Sequence, residues 1–265
     1  MPQMFRDFKA HVSNWRKNPR RAQPKFLLSR LGRYFLVEIL RLFGYPRPLS
    51  PPIETGRVEM LYNPTFLSSV AQVSEYTYLD EARLANLWNL VKFVGDGIFV
   101  EVGTFRGGTA LHICNAIDDS QHAGARFYSF DPFERGGFES IGSDESAFRV
   151  DSFTETNYAE VVERLSAKPN AQVVQGYFPQ AAEPFDLRDI AFCHLDVDLY
   201  EANLKCLNYL VPRLALRSAI LVDDLGHVAT PGVRRAIHHF LAQNPSFLLI
   251  EMFPCQGLLL PRHLW

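Results

Sequence analysis

From residue 58 onward the hydrophobic positions of this chain follow two alternating rhythms. Short, unbroken apolar runs rich in β-branched and aromatic residues occupy residues 98–102, 126–130, 171–174, 190–195 and 218–222. Between them, residues 108–117, 156–165, 201–214 and 231–242 repeat their apolar positions at helical spacing. An earlier helix is predicted over residues 79–94, where Asp80 and Glu81 complement the positive end of its dipole. Strands buried on both faces read as continuous apolar runs, and their alternation with helices predicts a parallel, doubly wound sheet. The last two runs, 247–252 and 258–261, are joined only by a short loop containing Pro254 and Gly257. That loop is too short for a parallel crossover and long enough for an antiparallel return. The expected fold class is therefore α/β: a doubly wound, mostly parallel seven-stranded sheet with a terminal antiparallel hairpin.

The first 57 residues have a different pattern. Over residues 26–43 the apolar positions recur at helical spacing, while Arg30, Arg33, Glu38 and Arg41 share one angular sector, which predicts a basic amphipathic helix. The Pro-dense stretch Pro46-Arg-Pro-Leu-Ser-Pro-Pro52 cannot continue regular structure and reads as a linker. A helical extension at residues 1–57 and a main domain at 58–265 are expected. The charge supports this division: residues 1–50 carry 11 Lys/Arg against 2 Asp/Glu, whereas the remainder carries 16 against 27. One reading of the helix is adhesion to an anionic membrane surface. The other is packing on its own domain or on a second copy in a homo-oligomer. Charges interrupt the apolar stretch and no small-residue cleavage site follows, so no secretory signal is expected there.

Composition changes the picture little. With 265 residues, 47% hydrophobic, 21% charged and a formal net charge of −2, the chain fits one globular α/β core with an appendage. It has no run of about 18 uncharged apolar residues, the length a membrane-spanning helix needs. The four cysteines, Cys114, Cys193, Cys206 and Cys255, form no C-x-x-C pair, which argues against a zinc ribbon or a disulfide framework and for a reducing, cytoplasmic setting.

Ligands of open α/β sheets bind beyond the carboxyl ends of the strands, so the chemistry is sought at those ends. The first strand runs into Phe99-Val-Glu-Val-Gly-Thr-Phe-Arg-Gly-Gly-Thr-Ala110. Gly103 suits a tight turn, and Gly107 with Gly108 would let a ligand approach the start of the next helix. Thr104 and Thr109 lie in the same turn, and Glu101 sits where a cationic ligand amine could be met. The spacing is not G-x-G-x-x-G, so a pyrophosphate cradle is disfavoured. The second strand ends at Asp131 in Phe127-Tyr-Ser-Phe-Asp-Pro-Phe133, where a carboxylate can accept bonds from both ribose hydroxyls or else cap a turn. After the third strand come Gly176, Tyr177 and Phe178, an aromatic pair that could wall an adenine or belong to the core.

The densest motif is His194-Leu-Asp-Val-Asp-Leu-Tyr-Glu201, followed one strand later by Val222-Asp-Asp-Leu-Gly-His227. If extended geometry persists, Asp196 and Asp198 face the same way. Adjacent strands would then bring them into one crevice with Asp223 and Asp224. Like charges that close need a proton, a basic partner or a cation. All-oxygen ligands suit Mg²⁺, Ca²⁺ or Mn²⁺, with Mg²⁺ preferred because a few carboxylates, water and substrate oxygens complete its octahedron. His227 is a candidate acid/base group beside them.

With these motifs the sequence, from about residue 79 to 241, resembles the macrocin O-methyltransferase family, metal-dependent sugar O-methyltransferases of antibiotic biosynthesis. The Asp-Val-Asp strand end followed by Asp-Asp carries the resemblance, together with the glycine turn, Phe-Asp-Pro-Phe-Glu, Val-Gln-Gly-Tyr-Phe and Pro-Gly-Val-Arg-Arg-Ala-Ile-His-His-Phe. The chain departs from the family pattern at Pro132, at Pro179-Gln180 and at Leu225. The resemblance implies a class I methyltransferase fold and S-adenosylmethionine contacted at the turn from Glu101 to Thr109 and at Asp131. It further implies Mg²⁺ at Asp196, Asp223 and Asp224, with Asp198 as the base. The expected partner is a small sugar-bearing acceptor and not a nucleic acid. Rival readings are a catechol-type enzyme with a phenolic acceptor and a non-catalytic cofactor-binding scaffold.

Overall fold

Strand β1, Ile98–Val102, is buried along its whole length and forms the axis of the sheet. The computed structural model describes residues 63–264 except 140, 143, 144, 146–148 and 150; the basic helix, the Pro-rich linker and the domain boundary predicted for the N-terminal segment lie outside the described residues. Helices α1 (Pro64–Val73), α2 (Glu81–Phe93), α3 (Gly108–Asp118), α4 (Tyr158–Arg164), α5 (Tyr200–Leu210) and α6 (Pro231–Gln243) accompany the strands. The strands after β1 are β2 (Phe127–Asp131), β3 (Ala171–Gln175), β4 (Ile190–Leu195), β5 (Leu214–Val222), β6 (Phe247–Met252) and β7 (Gln256–Pro261). Their order across the sheet is β3-β2-β1-β4-β5-β7-β6. The first five are parallel, and β7 enters antiparallel to both β5 and β6. The predicted architecture is thus observed.

Alternation along each strand divides the core. Phe99, Phe127, Phe192 and Leu221 join one cluster with residues of α1, α2 and α3. Val100, Val102, Phe130, Leu195 and Val222 join the other with residues of α5 and α6. Helix α1 was not predicted, although its start carries a readable signal. Asn63 accepts hydrogen bonds from the amides of Thr65 and Phe66, and Pro64 occupies the first turn, where its missing N–H costs nothing. Phe66 meets Trp88 edge-on at 5.6 Å, and His112 bridges Ser69 and the Leu84 carbonyl. Burial pushes the His112 imidazole down to about 4, so it serves as a neutral link among three helices.

The other differences sit at element ends. Helix α5 stops at Leu210 because Pro212 cannot continue its hydrogen bonding, and a short 3₁₀ turn over Val211–Arg213 leads into β5. Strand β5 starts at Leu214, before the apolar run, and Leu216 and Arg217 in its first half are exposed, so only residues 218–222 carry the pattern of a buried strand.

Candidate active site

The strand order reverses between β1 and β4, and the cleft opens above their carboxyl ends. Gly103 makes the reversal possible. Its φ is +94°, and a Cβ there would lie 1.9 Å from the Asp196 carbonyl oxygen, so no other residue lets the β1 turn run so close to the end of β4. The turn is pinned from both sides: the Gly103 amide donates to the Phe130 carbonyl and the Asp196 amide to that of Val102, each at 2.9 Å.

Gly107 and Gly108 have another purpose than the expected ligand approach. A Cβ on Gly107 would meet Val161 at 2.8 Å, and one on Gly108 would meet the Tyr76 backbone at 2.6 Å. They admit α4 and the segment before α2 against the start of α3, and neither lines the cleft.

Asp131 lies at the cleft wall and is already heavily engaged. One carboxylate oxygen accepts from the amides of Thr104 and Phe105, both at 2.9 Å, and the other from Phe133 at 2.6 Å. Burial raises its carboxyl to about 6 against those three bonds. The turn-capping reading of Asp131 is therefore realised, and the same side chain still faces the cavity.

Glu101 corrects the sequence reading. Its side chain is fully buried and turned into the sheet, where Ser129 donates to it at 2.8 Å and His194 Nδ1 lies 3.3 Å away. It has no place on the cleft wall from which to meet a ligand amine. His194, equally buried, has its Nε2 3.6 Å from Asp223. Burial alone would depress the imidazole, yet Asp223, Glu101 and Asp196 outweigh it and raise it to about 10. A carboxylate, an imidazolium and a second carboxylate thus run beneath the floor from β1 through β4 to β5.

A single cavity of about 630 Å³ occupies the cleft. Gly103, Thr104, Thr109 and Asp131 line one side, with Gly176, Tyr177 and Phe178 at the end of β3. The Tyr177 hydroxyl crosses to Gly136, where a Cβ would come within 2.3 Å of it. Phe178 packs edge-on against Phe130 and Tyr209, at 5.1 and 5.0 Å, so most of its ring belongs to the core. The other side carries Asp196, Asp198, Asp224 and His227, the last exposed at the rim with its amide donating to the Asp224 carbonyl at 3.1 Å.

The carboxylates meet by a different route than strand alternation. Strand β4 ends at Leu195, and both Asp198 and Asp224 adopt left-handed backbone, with φ of +57°. Aspartate tolerates this conformation better than most residues, and here it turns the two side chains back toward Asp196. Among the described residues, three groups have potential ligand atoms all within 4.8 Å of one another: Asp196 with Asp198 and Asp224, Asp223 with His194 and Asp196, and Asp223 with Asp224 and Cys255. The trio expected from the sequence, Asp196, Asp223 and Asp224, is not one of them. Asp223 is withdrawn from the cavity wall and claimed by two cations, the buried His194 below and the half-buried Arg83 from α2, whose guanidinium nitrogen lies 3.3 Å from Asp223 and from Asp224.

Electrostatics follow this division. Burial would raise Asp223, but His194 and Arg83 bring its carboxyl below the usual range. Burial and the charges of Asp223 and Asp198 push Asp196 well up, and burial with Asp224 and Asp223 lifts Asp198 to about 7. Asp224 is raised by burial and Asp223, against Arg83 and His227. Sequence reasoning missed Arg83, which lies 140 residues from Asp223. It also missed Glu145, whose carboxylate accepts from the Tyr200 amide at 2.7 Å and holds the loop after β2 on the start of α5. Only proximity in space marks either one.

A sheet reversed at β1 and β4, with β7 inserted antiparallel between β5 and β6, is the framework of S-adenosylmethionine-dependent methyltransferases. Residues 100–225 match the family model described as a methyltransferase domain, and the chain is an S-adenosylmethionine-dependent O-methyltransferase. The resemblance to sugar O-methyltransferases of antibiotic biosynthesis holds. Over 180 residues, 62% of this chain and 67% of the relative, it is 27% identical to 8-demethyl-8-(2,3-dimethoxy-alpha-L-rhamnosyl)-tetracenomycin-C 4'-O-methyltransferase of Streptomyces olivaceus. Among solved structures it is similar to the O-methyltransferase NovP, with TM-score 0.60 and 20% identity over 71% of this chain and 82% of that one. The calicheamicin methyltransferase CalS11 gives TM-score 0.58 and 17% identity, over 89% of this chain and 93% of that one. At these identities the two structures speak for the fold alone.

Proposed function

We propose that this enzyme methylates a hydroxyl of a sugar or glycosylated small molecule with the help of Mg²⁺. One observation carries the reading: a single cavity has the glycine turn and Asp131 on one bank and three crowded carboxylates on the other. The tetracenomycin relative is named for a reaction on a rhamnosyl group, which favours a sugar acceptor.

S-adenosylmethionine is the methyl-donor substrate and supplies an electrophilic methyl group. In this reading Thr104 and Asp131 hold its ribose end and Tyr177 flanks its base, all three lining the same cavity. The acidic bank fits a hard divalent cation, since Asp196 and Asp224 present only oxygen donors and are both driven up by burial and by neighbouring carboxylates. Bound there, such an ion would make a neighbouring acceptor hydroxyl more acidic. Asp198 takes the proton, as the carboxylate that lies within 4.8 Å of both Asp196 and Asp224 and lines the same cavity. Asp223 supports the site from behind, fixed by His194 and Arg83, and His227 stands at the rim. The N-terminal residues 1–57 are proposed to be an accessory basic extension outside this machinery.

The test is methyl transfer with rhamnosylated and other glycosylated aromatic acceptors against simple catechols, each with and without exhaustive chelation. Transfer to the glycosides that stops on chelation and returns with Mg²⁺ is expected. Preference for catechols would favour the phenolic reading, and activity untouched by chelation would remove the metal. A protein that binds S-adenosylmethionine yet methylates nothing would match the scaffold reading.

A further inference from the structure

Arg83 is the one guanidinium bound within the acidic cluster among the described residues that line the cavity. Its Nη1 sits 3.3 Å from an oxygen of Asp223 and 3.3 Å from one of Asp224, and its side chain is only 15% exposed. Its own helix start holds it there: Nη2 donates to the Tyr78 carbonyl at 2.8 Å, and Nε lies 3.9 Å from Asp80, the residue that caps α2. The other cation on the cavity wall, Lys205, pairs with Glu139 at 2.6 Å, away from the cluster.

Asp224 thus has two suitors. It belongs to the all-oxygen group with Asp196 and Asp198, and it is bonded to a guanidinium that cannot be deprotonated in a protein. We propose that Arg83 is a positioning residue that competes with a divalent cation for Asp224 and keeps Asp223 out of the ligand set. The inference rests on the metal reading above. Its physical content is electrostatic: a fixed positive charge beside the cluster weakens the hold of the carboxylates on a second cation, and its bonds to Asp223 and the Tyr78 carbonyl keep that charge in place. The enzyme would thereby bind its ion weakly enough to depend on supply, with the ligands already arranged.

Mn²⁺ binding to the intact chain, measured by electron paramagnetic resonance and by titration calorimetry without other substrates, tests this. Arg83→Met removes the charge and keeps most of the volume, and it should tighten Mn²⁺ binding by about tenfold or more, the scale for deleting a unit charge a few ångströms away in a partly buried site. Arg83→Lys keeps the charge and should stay within about threefold of wild type. The thermal shift on adding Mn²⁺ should be larger in Arg83→Met than in wild type. If that variant folds only when Mn²⁺ is present, the ion has taken the place of the guanidinium, as proposed; failure to fold even then would overturn the idea. Equal or weaker binding in Arg83→Met, or equal tightening in Arg83→Lys, would overturn it while leaving the metal reading intact. Absence of Mn²⁺ binding in all three proteins would defeat both.

Discussion

On the β1–β2 bank of the cleft, Asp131 is surrounded by backbone amides; on the β4–β5 bank, Asp196, Asp198 and Asp224 are surrounded largely by one another. Both banks partly bury acidic side chains. The first opposes that burial with three amide donors fixed by the turn, and Asp131 is still raised to about 6. The second has two cations, Arg83 and His194, and both are spent mainly on Asp223. Its remaining carboxylates are left with raised proton affinity, a condition that a proton or a divalent ion relieves. One bank is ordered by backbone amides, the other by charges on side chains from separate elements.

The largest effect expected from breaking this contrast is on the acidic bank. Asp198→Asn should lower the rate of methyl transfer by roughly 10² to 10⁴ while S-adenosylmethionine affinity, read by calorimetry, stays close to wild type. His227→Ala is the companion, with a loss below about tenfold if the rim histidine is not the base. Comparable losses in the two variants would move the base to His227.

Next in size is the buried relay under the floor. Glu101→Gln leaves the His194 imidazolium short of a counter-charge and should cost about 3 to 5 kcal/mol of folding stability in a denaturant titration. Cofactor affinity per folded molecule should change little, because Glu101 lies off the cavity wall. A stable variant with weak cofactor binding would restore Glu101 to the ligand.

Asp131→Ala tests the amide-lined bank. It should weaken S-adenosylmethionine binding by about 1 to 3 kcal/mol and, by stranding three backbone amides, lower stability by a similar amount. Loss of stability alone would reduce Asp131 to a turn cap.

The smallest effect is the response to pH. Asp131 and Asp198 hold their protons more tightly in the folded chain, at about 6 and about 7, than their ordinary value of 3.8. Stability is therefore favoured at low pH and is lost as pH rises through those values. His194, raised from 6.5 to about 10, adds to the loss from pH 6.5 upward, because folding must then take up a proton that the unfolded imidazole has released. The lowered carboxyl of Asp223 acts oppositely, but below this window. Without divalent ions the melting temperature should fall by at least about 3 °C between pH 5.5 and pH 8, and saturating Mg²⁺ should remove much of the fall. A flat profile would mean that the acidic bank is already balanced.

The sheet, its order of elements and its closing hairpin were legible in the sequence, because burial on one or both faces leaves a period in the chain itself. The cluster of acidic strand ends was legible for the same reason: a strand that stops at Leu195 or Val222 exposes whatever follows it at the carboxyl edge. Helix α1 was legible too, through Asn63 and Pro64. What a side chain faces is another matter. Glu101 reads as a ligand residue at the strand end, and only the parallel register that sets it opposite both Ser129 and His194 turns it inward. The two Asp residues of Asp-Val-Asp converge through a left-handed turn that alternation does not foresee. Arg83 enters the cluster across 140 residues from the first turn of α2, and it thereby decides which carboxylates remain open. Local periodicity records how much of each residue is buried, whereas the pairing of charges depends on strand order, register and helix packing, which act between residues far apart in the chain.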